Sequence, residues 1–334
     1  MKKFLLIFSL LILSILLFSE TIIDNSTVSG NWNAEGSPYI ITTNIEIPQG
    51  QSLTIDPGVT ILINSDIKIT AYGVISANGV EENLVYFQGA TESTIWQGIE
   101  VNSENGNFTY TNIIGATKGL AIYKSNSVDY INIVGLETSD FEEGLYLSGD
   151  NQSTISNLNI LGYKTGVTIK ATDDDDDDHD PTTPTMDVIR IYYSPESWKS
   201  GRTATTKGID MDTKVEPTLT NIEIENYDEG ITIKATDDDD DHDPTTPTMD
   251  VIRIYYSPES WKSDRTWETK GIYVEGKVNP SFSNVDIENY DEGITIKTND
   301  DDDDHDPTTP TMDVIRIYYS PESWKSDRLW ETKG

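Results

Sequence analysis

A Gly followed by alternating apolar residues recurs through this chain, and no other feature limits its fold so much. The instances are Gly98-Ile-Glu-Val, Gly119-Leu-Ala-Ile, Gly144-Leu-Tyr-Leu, Gly166-Val-Thr-Ile, Gly208-Ile-Asp-Met, Gly230-Ile-Thr-Ile, Gly271-Ile-Tyr-Val and Gly293-Ile-Thr-Ile. Successive glycines lie 21, 25, 22, 42, 22, 41 and 22 residues apart. A unit this short cannot bury an apolar face alone, so its core must come from stacking on its neighbours. The two long steps then read as single coils with inserted loops.

A second apolar segment precedes most of these glycines: Tyr110-Thr-Asn-Ile-Ile, Tyr130-Ile-Asn-Ile, Leu158-Asn-Ile, Asn221-Ile-Glu-Ile and Val285-Asp-Ile. Alternation has period two, which points Ile and Leu inward and Thr, Glu and Asn outward. Each Gly is expected at a corner needing positive φ, where the chain turns into the next strand. No stripe of helical period appears after residue 19. The expected fold is all-β: a right-handed parallel β-helix, with long acidic and aromatic loops inserted in alternate C-terminal coils.

Composition supports thin strands over one thick core, since hydrophobic residues make up only 36% of the 334. Lys and Arg number 23 against 58 Asp and Glu, a formal charge of -35. Such a field repels nucleic acid and anionic membranes and attracts cations. The absence of Cys excludes disulfides, thiolate metal sites and a lipoprotein anchor. Lys2 and Lys3 precede an apolar run from Phe4 to Phe18 and the small Ser19. That run is short for a bilayer span and reads as a secretory signal peptide over 1–19, with cleavage near Ser19. The chain is therefore expected to be secreted or at the cell surface, with no membrane span in the mature part.

Between Trp32 and Phe87 stand Ile45-Glu-Ile-Pro-Gln-Gly, Ser52-Leu-Thr-Ile-Asp-Pro-Gly-Val and Gly73-Val-Ile-Ser-Ala-Asn-Gly, followed later by Trp96-Gln-Gly-Ile. This succession resembles the opening coils of secreted right-handed parallel β-helix proteins, the pectin-lyase-like superfamily. The resemblance implies the fold over most of residues 30–334. It leaves activity open, because that group includes lyases, hydrolases, adhesins and proteins without a reaction.

Residues 20–95 are then an N-terminal cap and first coils, and 96–334 the remaining coils. From about residue 166 a 63-residue, two-coil cassette repeats three times. Its 27-residue stretches Asp174–Ser200, Asp237–Ser263 and Asp300–Ser326 are identical. Trp330-Glu-Thr-Lys-Gly334 matches the approach to the strand at Gly271 and breaks off there, so the sequence reads as a fragment or an abrupt gene end.

Each cassette carries two long loops. The acidic loop holds a run of six, five and five Asp in turn. Carboxylates crowded this closely repel, and hard divalent cations relieve the repulsion. The candidate metal ligands are Asp174, Asp176, Asp178 and Asp180, then Asp237, Asp239, Asp241 and Asp243, then Asp300, Asp302, Asp304 and Asp306, with Ca2+ as the expected cation. Neither the EF-hand Gly and Glu nor the Gly-rich calcium nonapeptide is present, so a solvated loop with diffuse ion binding stands beside the site reading. His179, His242 and His305 sit singly in these loops and read as solvated side chains rather than transition-metal ligands.

The second loop offers Tyr192 and Trp198, Tyr255 and Trp261, and Tyr318 and Trp324, beside Lys and Arg, as candidate glycan-binding residues. The competing reading folds these rings back over the coil as a small core. Arg190, Arg253 and Arg316 are expected to point outward. Resemblance to pectate lyases suggests an Arg base near acidic ligands. The family's spaced Asp ligands are not recognisable, however, and an active site does not normally occur three times. The main reading is a non-enzymatic exported β-helix binding divalent cations and a polysaccharide or cell-surface glycan. The alternative is a Ca2+-dependent polysaccharide lyase or glycoside hydrolase. An ice- or mineral-templating array is disfavoured, because Thr168, Thr232 and Thr295 alternate with Asp210 and Tyr273.

Overall fold

A computed structural model describes residues 20–136, 141–171, 182–193, 205–212, 214–235, 245–257, 268–297 and 309–319. Residues 1–19, expected from the sequence to be a signal peptide, lie outside them. The described chain is a parallel β-helix built of two sheets, one of ten strands and one of fifteen.

Lys118–Ile122, Glu143–Ser148, Thr165–Lys170, Lys207–Met211, Glu229–Ala235, Lys270–Gly276 and Glu292–Lys297 carry the Gly motif and stack in parallel in the ten-stranded sheet. The strands flanking each long step pair directly: Val167 with Ile209, and Ile231 with Ile272. Each long step is therefore one coil.

The second apolar segment is an eight-residue strand with a sharp bend. Asn107–Ile114, Ser127–Val134, Thr154–Leu161, Thr185–Tyr192, Thr218–Glu225, Thr248–Tyr255, Ser281–Glu288 and Thr311–Tyr318 stack in register. At the fourth residue of each the backbone is left-handed: Tyr110, Tyr130, Asn157, Val188, Asn221, Val251, Asn284 and Val314 have φ between 44° and 56°. The ladder skips these residues, pairing Thr109 with Asp129 and Thr111 with Ile131. One residue thus turns the strand from one face of the coil to the next.

This corrects the role expected for the repeated glycines. Among them only Gly98 has positive φ, at 127°. The others are needed because the core is tight there. A Cβ on Gly166 would meet Ile191 Cγ2 at 2.2 Å and the Gly208 carbonyl at 2.6 Å. On Gly230 it would meet Ile254 Cγ2 at 2.4 Å and the Gly271 carbonyl at 2.5 Å. Each Gly opens a hole filled by the Ile facing it across the coil. Those isoleucines form one column, Ile113, Ile133, Ile160, Ile191, Ile224, Ile254, Ile287 and Ile317. From Ile113 to Ile287 they are buried, which is the main driving force for stacking.

A second internal column stands at the turn after each bent strand. Tyr227 donates its hydroxyl to the Tyr163 carbonyl at 3.0 Å, Tyr290 to that of Tyr227 at 2.9 Å, and Tyr319 to that of Tyr290 at 2.7 Å. Tyr193 and Tyr256 pack between them with ring centroids 5.5 and 5.6 Å from Tyr227 and Tyr290. Burial pushes the Tyr163 and Tyr227 phenols well above their ordinary pKa. In each Tyr-Tyr pair of the cassette, the second ring therefore belongs to the core.

Candidate functional site

The acidic candidates Asp174 to Asp180, Asp237 to Asp243 and Asp300 to Asp306 lie outside the described residues, as do His179, His242 and His305 and the indoles Trp198, Trp261 and Trp324. Their roots are described. Thr182 and Thr245 bridge to Val215 and Val278 of the following coils, at equivalent positions. Thr182 Oγ1 donates to the Gly149 carbonyl at 2.6 Å, and Thr309 Oγ1 to Asn279 Oδ1 at 2.6 Å. After the first two acidic segments the chain thus rejoins the stack at equivalent positions, two coils apart. Among the described residues no group of three or more His, Asp or Glu side chains forms a metal-binding set.

The first tyrosine of each pair points outward. Tyr192, Glu225, Tyr255, Glu288 and Tyr318 form one column on successive coils. Tyr255 donates its hydroxyl to Glu225, and the Arg253 guanidinium lies 4.9 Å from its ring centroid. Desolvation and then the Glu225 carboxylate push the Tyr255 phenol up. The Tyr255 ring is already occupied on one face.

The three arginines also point outward, in a column the sequence reading did not foresee as such. In-register stacking places Asn112, Asn132, Asn159, Arg190, Glu223, Arg253, Asp286 and Arg316 at one position. Arg190 Nε and Arg253 Nη1 each lie 3.5 Å from Glu223, and Arg316 Nη1 lies 2.9 Å from Asp286. Opposite charges alternate down the cassette. The neutral coils before it use amides instead: Asn132 Nδ2 donates to Asn112 Oδ1 at 2.8 Å, and Asn159 Nδ2 to Asn132 Oδ1 at 3.0 Å.

One position before the bend, Asp187 accepts from Thr220 Oγ1 at 2.9 Å and Asn221 Nδ2 at 2.7 Å. Asp250 accepts from Ser283 at 2.6 Å and Asn284 at 2.8 Å, and Asp129 from Ser156 at 2.7 Å and Asn157 at 2.8 Å. These bonds hold the Asp187 and Asp250 carboxyls below their ordinary pKa. The sequence signal was present, as Asp followed by Tyr or Val alternating with Ser or Thr followed by Asn.

On the outer face of the ten-stranded sheet, Thr168, Asp210, Thr232, Tyr273 and Thr295 succeed one another. This breaks any flat Thr lattice. Lys270, Lys234 and Lys297 surround the Tyr273 ring at 4.3, 5.3 and 5.3 Å.

The structure adds a cleft that sequence reasoning missed. It has a volume of about 520 Å3 and lies along the bend of the coils before and at the start of the cassette. Glu81 and Leu84 wall one end, Tyr110 and Tyr130 form its floor, and Asn159 and Arg190 line its side. The cleft exists because the corner changes length. Between Val74–Asn78 and Val85–Gly89 the corner takes six residues and stands proud, whereas from Asn107–Ile114 onward one residue makes it. No sequence motif marks such a step.

The chain matches no family model and no curated protein. Among solved structures it is similar to an alginate lyase from Paenibacillus sp. str. FPU-7, at 14% identity and a TM-score of 0.45, over 79% of this chain and 92% of that one.

Proposed function

We propose that this chain is an exported, non-enzymatic β-helix whose aligned Asp-rich loops bind Ca2+ and, through it, an anionic glycan or cell surface. The observation that carries this reading is the common edge at which the chain returns to the stack after the first two Asp runs, at Thr182 and Thr245. Two coils separate successive loops, roughly 10 Å at the usual strand spacing. At that distance the field of one Asp run reaches the next, so neighbouring runs together attract cations more strongly than one alone. Carboxylate ligands of this kind suit Ca2+ at a Kd on the order of 10⁻⁴–10⁻³ M.

The non-enzymatic part rests on the arginines. Each is repeated and faces a carboxylate on a neighbouring coil, which leaves none poised as a base. The test is a melting curve of the full chain across millimolar CaCl2. The expected result is a rise in Tm that EDTA reverses and that Mg2+ reproduces only weakly. An unchanged Tm defeats the ion part. Ultraviolet absorbance that grows on incubation with uronate polymers establishes a lyase instead.

A further inference from the structure

We propose that the cleft at the bend of the amino-terminal coils is a binding site for a neutral glycan, with Tyr130 as its stacking platform.

The argument starts from an unusual residue choice. The bend demands a left-handed backbone, which Asn tolerates and larger side chains disfavour. Asn157, Asn221 and Asn284 obey that rule. Val188, Val251 and Val314 depart from it in the cassette, and Tyr110 and Tyr130 depart from it on two consecutive coils before the cassette, with φ of 44° and 52°. Burial does not account for Tyr130, which is 45% exposed. Instead the two rings stack on each other, 4.5 Å apart and within 5° of parallel. The face of Tyr130 away from Tyr110 is left as a flat apolar surface over the next coil. Asn157 does not cover it, because its amide is turned to Asp129 at 2.8 Å.

Around that surface stand groups that match a sugar's edge. Asn159 spends its Nδ2 on Asn132, so its Oδ1 remains as an acceptor towards the cleft. Glu81 at one end supplies a carboxylate and Arg190 at the other a guanidinium, both planar groups suited to vicinal hydroxyls. A ring's C–H face on Tyr130 and its hydroxyls on these groups use every feature present. The volume of about 520 Å3 falls in the range of small-ligand sites.

Charge selects between glycans. Glu81 and Arg190 balance, Asp129 lies just behind the bend, and the whole chain carries -35. A polyuronate would meet repulsion that a neutral chain escapes.

The test is isothermal titration of the full chain with cellohexaose, mannohexaose, xylohexaose and hexagalacturonate, in EDTA so that the acidic loops hold no cation. At least one neutral hexasaccharide should bind and hexagalacturonate should not. Tyr130→Asn puts at the bend the residue that Asn157 provides on the next coil, so the backbone remains satisfied while the platform is lost. It should weaken binding about tenfold, whereas Tyr130→Phe should stay within about threefold. An unchanged Tm confirms that the Asn variant is folded. The proposal is overturned if no neutral hexasaccharide binds, if hexagalacturonate binds as well as the neutral ones, or if Tyr130→Asn leaves affinity unchanged. Because cation is absent, failure here leaves the calcium reading standing, and failure of the calcium reading leaves this one.

Discussion

The coils before the cassette and the coils within it share one interior and differ outside. Ile133 in the first region and Ile254 in the second occupy the same column and are equally buried. On the surface, the position held by Asn112, Asn132 and Asn159 becomes Arg190, Glu223, Arg253, Asp286 and Arg316. Amide-to-amide bonds give way to alternating charge. The bend changes from Tyr110 and Tyr130 to valines alternating with asparagines. A stack of parallel strands fixes what points inward, because each side chain must fill the hole beneath it. What points outward has only to tolerate its copy about 4.8 Å above and below, and that condition has two solutions here.

The largest effects should not distinguish the regions. Ile133→Ala and Ile254→Ala each remove a fully enclosed side chain, and each should cost about 2–5 kcal/mol. Chemical denaturation of the two variants checks this, and a cost confined to one region would break the shared-core comparison.

The next effect is specific to the cassette. Val188, Val251 and Val314 are β-branched residues in a left-handed conformation, exposed by 37%, 47% and 45%. Val251→Asn should therefore stabilise by about 1 kcal/mol. Asn157→Val, the reverse change in the other region, should destabilise by a similar amount and also remove one of the two donors to Asp129. Paired melting curves decide it, and a loss of stability in Val251→Asn would show that the valine packs better than its exposure implies.

Charge separates the regions more weakly. Glu223→Gln removes the partner of both Arg190 and Arg253. Exposed pairs are worth little, so the expected cost is about 0.5 kcal/mol and should vanish in molar salt. Asn132→Ala should show no such salt dependence.

The smallest contrast is in acid. The Asp187 and Asp250 carboxyls are depressed in the folded chain by their hydroxyl and amide donors. Their contribution is present above the unfolded Asp pKa, near 3.9, and disappears as pH falls through the folded value. Hydrogen exchange corrected for intrinsic rate should show cassette strands loosening below about pH 4. The Asn112–Asn132–Asn159 ladder does not titrate. Loosening that Asp187→Asn and Asp250→Asn leave unchanged would remove the role of these two clamps.

The repeat of Gly and alternating residues made the parallel stack legible, because period two and a step near 22 residues allow few other ways to bury Ile. It also placed the arginines outside. It misassigned the glycines, whose reason is an Ile from the facing side of the coil. A conformational need and a steric need leave the same letter in a sequence. The aromatic loops were half legible. Tyr192, Tyr255 and Tyr318 stand outward as the alternation required, while Tyr193, Tyr256 and Tyr319 entered the internal column because the turn redirects the residue that follows.

By itself, then, the sequence determined which residues face inward and that coils must pile up, since burial and alternation are local properties read along one strand. Only the tertiary structure decided which outward residues become neighbours. Arg190 and Glu223 are 33 positions apart in the chain and adjacent in space. Tyr130 gained a cleft only because a six-residue corner two coils earlier rises beside it. Register and the height of neighbouring turns are relations between coils, and a single coil's residues carry no record of them.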